Sequence, residues 1–179
     1  MRIHTLLSCT LVLGGLLAQQ PTTQAQGDVT QPGDPVIGSS DNSPGSERVP
    51  NAIDNQPTKY LNFDTTGTDP VPSGLVVSPS VGLTVVTGLT IQSANDAVER
   101  DPKSIKLEGS NDEAPTWEDG SWEVIYENDA IEPWVDLFPD GDRFQTQEFS
   151  FANNMPFLHY RLTVIEVQGE GANSTGAIP

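Results

Sequence analysis

The chain reads as an all-β, antiparallel sandwich, and three observations predict it. Short strand-like apolar runs recur between turns, 15 prolines and 16 glycines punctuate the 179 residues, and no segment holds helical periodicity for three turns. No internal repeat is present, which argues against a propeller or solenoid. Two packed sheets are then the natural way to bury one apolar face of each strand.

The runs follow in order. Residues 74–78 carry Leu75, Val76 and Val77; residues 83–93 carry Val85, Val86, Leu89 and Ile91; residues 104–108 alternate Ile105 and Leu107 with polar partners. Residues 122–126, 144–151 and 159–167 complete the series. In the last, Tyr160, Leu162 and Val164 share a face, with Glu166 carried along by the alternation, while Arg161, Thr163, Ile165 and Val167 take the other. Trp122 opens a strand with Val124 and Tyr126 and is expected in the core. The size suits one domain.

Met1-Arg2-Ile3-His4, an apolar run from Thr5 to Ala18 and small residues up to Ala25 read as a secretory signal peptide over residues 1–25. Thr23-Gln24-Ala25 offers the cleavage pattern, with Ala18 an earlier candidate. The run is short for a bilayer span and lacks a basic flank, so no membrane insertion is expected after cleavage, and the location is secreted or cell-envelope. Cys9 leaves with this leader, so no disulfide, thiolate nucleophile or cysteine-ligated zinc is expected. His159 remains as the one imidazole, too few for a multi-histidine metal site.

Residues 26–35 read as a flexible spacer, residues 36–172 as the sandwich and residues 173–179 as a short tail. The formal net charge of −17 would repel nucleic acid and anionic membranes, so neither is an expected partner.

The densest set of oxygen ligands lies in Val49–Phe63. Hard cations such as calcium take six to eight oxygens at flexible angles. Asp54, the carbonyls of Asn55 and Gln56, and Thr58 can supply several, while Ala52, Ile53, Tyr60 and Phe63 anchor the loop's ends. The same residues also make an ordinary turn, and both readings stay open.

Asn51-Ala52-Ile53-Asp54 with Thr58-Lys59-Tyr60-Leu61-Asn62-Phe63, then Gly74–Pro79, Asn95–Pro102 and Leu107–Asp112, resemble in order the secreted bacterial discoidin-like domains. These belong with the coagulation-factor C-type, galactose-binding-like jelly rolls. The likeness runs from about Val36 to Ala172. It implies an eight-strand jelly-roll β-sandwich, a structural calcium ion, and recognition of a glycan or other surface polymer by loops at one end. Carried over, Asp54 would give a carboxylate oxygen, Gln56 a main-chain or side-chain oxygen, and Thr58 its hydroxyl and carbonyl, with Asn51 and Asn55 close by. One departure stands out. The family's closing strand, whose glutamate completes the metal shell, would follow Ala172-Asn173-Ser174, and here it is missing. The chain is thus read as a truncated product or a divergent member, with an uncovered sheet edge expected beside Val36 and Ile37.

Trp117 and Trp134 lie in polar loops, where an aromatic face can stack on a pyranose ring or else cap the core. Arg100 could meet sugar hydroxyls or clamp a neighbouring carboxylate. Asp140-Gly141-Asp142 reads as a turn, with a second cation site as the other option. No carboxylate pair has the apolar surroundings that would split two pKa values, so no enzyme is expected. The leading function is a non-enzymatic, calcium-assisted carbohydrate-binding module. The alternative is a structural or adhesion protein that engages another protein through its sandwich edges.

Overall fold

A computed structural model describes residues 1–5, 27–65, 72–137, 140–169 and 177–178. Its strands are β1 (Arg2–Thr5), β2 (Gly27–Asp28), β3 (Val36–Gly38), β4 (Tyr60–Leu61), β5 (Ser73–Val77), β6 (Val86–Gln92), β7 (Pro102–Ser110), β8 (Glu123–Asn128), β9 (Thr146–Ser150), β10 (His159–Val167) and β11 (Ala177–Ile178). One short helix, α1 (Trp134–Leu137), and three 3-10 turns join them. No described helix is long and apolar enough to cross a membrane.

All the strand pairings are antiparallel. One sheet runs β3-β5-β10-β7-β8, the other β2-β1-β6-β9, and β11 pairs with β4 apart from both. Between the two larger sheets lies the core, with Leu75, Val77, Ile105, Leu107, Tyr160 and Leu162 from one and Ile3, Val86, Leu89 and Ile91 from the other. The strand alternation read from the sequence puts the inward faces where they are. Glu166 is the exception: β10 slips in register between Val164 and Glu166, which turns Glu166 outward to pair with Lys103 at 2.9 Å. Tyr126 of β8 stacks on Phe151 at 4.7 Å and lies 6.4 Å from Phe149 of β9, so aromatic rings close one side of the sandwich.

The N-terminal region departs from expectation. Residues 26–35 are not a spacer: β2 joins a sheet, and Val29, Thr30 and Asp34 are buried. Two carboxylates do what the glycine and proline content obscured. Asp28 accepts bonds from the Thr30 N–H (3.0 Å) and hydroxyl (2.8 Å), and Asp34 accepts from the N–H of Gln31 (2.8 Å) and of Ser80 (3.0 Å). The expected leader also contributes: Arg2–Thr5 forms β1, with Ile3 fully buried. Residues 6–25, including Cys9 and both cleavage candidates, lie outside the described residues. So do 170–176, which hold the Ala172-Asn173-Ser174 segment. Ala177–Ile178, expected in the tail, pairs with Tyr60–Leu61. Among the described residues β3 is terminal in its sheet, and Ile37 is exposed.

Candidate functional site

Strand registers sort the loops into two ends. Gln92 pairs with Thr146 and Pro102 with Val167, so the 39–65, 93–101 and 129–145 segments gather at one end. Val77 pairs with Tyr160 and Ser110 with His159, which sends the 78–85, 111–122 and 151–158 loops to the other. Trp117 therefore comes from the opposite set of loops to Arg100, Trp134 and the Asp54 loop. The expected ligand residues do not form one site.

Trp134 is corrected outright: it is 1 % exposed, and its indole N–H donates to the Gln145 carbonyl at 2.8 Å. A ring without an exposed face cannot stack on a sugar. Arg100 clamps Asp96 at 3.1 Å, one turn back, and not its neighbours Glu99 and Asp101. Trp122 also moves. It is half-buried on the outer face of the five-stranded sheet, its ring centroid 4.5 Å from the Arg161 Cζ. Trp117 shares that guanidinium at 5.7 Å and rests its ring on Gly74, where an added Cβ would meet Trp117 at 2.2 Å. Arg161 in turn holds the buried Glu108 at 2.8 Å. Both indoles thus cover an ion pair on the sheet surface.

In the Asp54 loop, the sequence-predicted residues do come together. Asp54 accepts bonds from the Gln56 N–H at 2.8 Å and the Thr58 hydroxyl at 2.6 Å, and Asn55 at φ 58° turns the chain between them. Ala52, Ile53 and Tyr60 anchor the loop in the core, whereas Phe63 is exposed. As a cation site the set is right in kind, all oxygen, and short in number, with one carboxylate among neutral donors. Among the described residues no group of three or more His, Cys, Asp or Glu side chains could hold a metal.

Beside this loop lies a cleft of about 190 Å³. Its wall is part polar and part apolar: Asn51, Asp54, Asn55, Gln56 and Thr58 from the loop, Thr90 and Gln92 from β6, and Thr146 from β9 carry polar groups, with Ala52, Pro57, Met1 and Arg2 alongside. Amide and hydroxyl groups both donate and accept, which matches the hydrogen-bonding character of sugar hydroxyls.

Gln92 also donates to the Phe144 carbonyl at 2.8 Å, which ties the cleft to an exposed aromatic ring. Phe144 sits at φ 62°, a region that side chains other than glycine and a few polar ones rarely enter. Its neighbours hold it there. Arg143 makes a two-pronged bond to the buried Asp101 at 2.7 and 2.8 Å and donates to the Ala94 carbonyl at 2.7 Å. Gln145 exchanges bonds with Ser93. With both flanks fixed, the backbone keeps its left-handed turn, and Phe144 is left 36 % exposed.

Charge organises the same end. Lys59 is buried between Asp96 at 2.6 Å and Glu47 at 3.5 Å. Its hydrogen bond is the main reason the Asp96 carboxyl titrates below the usual range. Burial pushes Asp101 the other way, upward, and outweighs the Arg143 guanidinium. Lys59, Asp96, Arg143, Phe144 and Gln92 were missed from sequence. Only the turn at Asp140–Asp142 just before Arg143 hinted at a presented residue, and Gly141 at φ 79° confirms that turn.

A scan of protein-family models and a search of curated proteins each find no match. Solved structures do match. One is the family 32 carbohydrate-binding module of NanJ from Clostridium perfringens, in complex with galactose: TM-score 0.54, 14 % identity, covering 80 % of this chain and 88 % of that one. Another is chitosan-binding module 2 of a chitosanase/glucanase from Paenibacillus sp. IK-5, in complex with chitotriose: 0.58, 12 %, 84 % and 95 %. A third is a family 32 module from a family 31 glycoside hydrolase of Clostridium perfringens: 0.58, 13 %, 79 % and 83 %. At these identities the likeness is one of fold, and the fold is the discoidin-like, galactose-binding-type β-sandwich that the family 32 carbohydrate-binding modules share.

Proposed function

We propose that this is an exported, non-enzymatic glycan-binding module whose site is the cleft beside the Asp54 loop, with Phe144 joined to it through Gln92. The observation that carries the reading is the pairing of a cleft that presents amide and hydroxyl groups with a partly exposed aromatic residue held in a left-handed backbone conformation, its carbonyl bonded to the Gln92 side chain. Non-glycine residues at such angles cost roughly 1–3 kcal/mol and cluster at ligand sites. The carbohydrate-binding fold of the structural neighbours supports it. A cleft of about 190 Å³ is smaller than the ~300–1,000 Å³ typical of ligand pockets, which favours a single sugar unit at a chain end and weak affinity.

A glycan array followed by calorimetry tests the proposal. Phe144→Gly should reduce affinity at least tenfold with little net change in stability, because relief of the left-handed backbone is offset by the covered part of a ring that is 36 % exposed and by the greater freedom of glycine in the unfolded chain. A destabilised Phe144→Gly with unchanged binding would make the ring a packing residue. Binding lost instead with Trp117→Ala, in a protein that stays folded, would move the site to the outer face of the five-stranded sheet.

Within the same reading, a calcium ion would be held by Asp54, Gln56 and Thr58, and would stiffen the wall of the cleft. With so few donors the site is weak. Calcium at about ten times its dissociation constant would add ~1.4 kcal/mol by mass action, seen as a higher melting temperature that Asp54→Ala abolishes. Identical melting in calcium and in chelator would remove the ion.

A further inference from the structure

β1 is an interior strand of its sheet. It pairs with β6 through Arg2–Thr90, Ile3–Leu89, His4–Gly88 and Thr5–Val86, and with β2 on its other side. The Ile3 carbonyl accepts from the Val29 N–H at 2.7 Å, and the Ile3 side chain fills the core. Arg2 donates to the Asn55 side chain at 3.0 Å and lies 3.9 Å from Asp28. Yet residues 1–25 read as a cleavable leader. If that reading holds, processing removes an interior strand, strands β2 from the sheet, bares the hydrogen-bonding edge of β6 and opens a hole where Ile3 was; it also takes Met1 and Arg2 from the wall of the proposed glycan cleft, whose remaining lining from the Asp54 loop, β6 and β9 stays.

We propose that the slot between Gly27–Asp28 and Val86–Gln92 is a strand-acceptor site. In the processed protein it takes an extended segment of another polypeptide, antiparallel to β6, apolar at the place of Ile3 and basic at the place of Arg2. Main-chain bonds to β6 give the affinity and the Ile3 hole fixes the register, because a one-residue slip would turn the apolar residue outward. The basic residue is called for by Asp28 and the Asn55 side chain, in a chain of net charge −17. Among the described residues no other segment takes that place, and Ala177–Ile178 is engaged on β4.

The test uses the processed form beginning at Gln26, its N-terminus established by mass spectrometry, and a synthetic peptide of residues 1–7. Amide exchange over Val86–Gln92 should be fast in the processed form and slow at least tenfold with the peptide. Ile3→Asp in the peptide should abolish that protection, and Arg2→Glu should weaken binding about tenfold. Should the processed form fail to fold alone, refolding with the peptide should recover it, and no recovery would overturn the proposal. Three further results would overturn it: an intact Met1 on the exported protein, Val86–Gln92 already protected in a peptide-free monomer, or the same protection arising from self-association.

Discussion

Trp134→Ala should lower the unfolding free energy by about 3–5 kcal/mol, the usual loss when a buried tryptophan is truncated. The indole is 1 % exposed and belongs to the core cluster that also holds Ile53 and Ile91. Its N–H bond to Gln145 ties α1 to the segment that leads into β9, so truncation leaves a cavity and removes one of two bonds to the Gln145 carbonyl, which still accepts from the Ser93 N–H at 2.8 Å. Trp122→Ala should cost less than half as much, because that ring is half-buried and lies over Arg161. Urea melts of the two variants decide the matter. Trp122→Ala as the more damaging change would mean that the outer face of the five-stranded sheet carries more of the stability than its burial indicates.

The two tryptophans show what was legible. Sequence patterning gives β10 to the residue and β5 nearly so, and finds β6 and β7 with looser ends; in β7 and β10 the signal is period-two alternation, which follows directly from which side of a pleat each side chain takes. It also ranks Trp122 as core, because alternation says which face a residue takes and not whether that face meets the other sheet. Trp134 sits in a polar loop, and nothing local shows that the loop folds back over the end of the core. The ligand loop was legible for a different reason. Asp54, Gln56 and Thr58 meet within five residues, so their contacts are local.

Long-range contacts were not legible. Lys59 reaches Asp96, and Arg143 reaches Asp101, across 37 and 42 positions. Only the folded chain brings them together. The same holds for Gln92 and Phe144, 52 positions apart, on which the proposed site rests. A positive φ at a phenylalanine has no sequence signature at all, since the composition around it favours ordinary turns. The glycan site, if it is where the cleft and the ring place it, was therefore out of reach of pattern reading, while the fold that carries it was within reach.

Arg143→Ala should destabilise by about 3–5 kcal/mol, the range for removing one partner of a buried ion pair. The loss comes less from the pair's own strength than from what is left behind: the Asp101 side chain is 3 % exposed and would keep a charge with no counter-ion. Burial already pushes its carboxyl upward with the guanidinium in place. Without Arg143 the folded-state pKa rises further above the unfolded value, so the variant favours the protonated acid. The sign follows from linkage. A carboxyl whose pKa is raised by folding penalises the fold where it must ionise and stops doing so once it is protonated in both states. The deficit of Arg143→Ala relative to the parent should thus be largest near about pH 7 and shrink on titration towards about pH 4. Arg143→Met with Asp101→Leu, which removes both charges, should recover most of the loss, because replacing a buried pair by apolar side chains is often neutral. Phe144 gives the second readout. Freed of one clamp, its backbone should relax out of the left-handed region, and glycan affinity should fall even in the stable double variant. A double variant that regains stability and keeps full binding would show that Arg143 steadies the fold and does not position the ring.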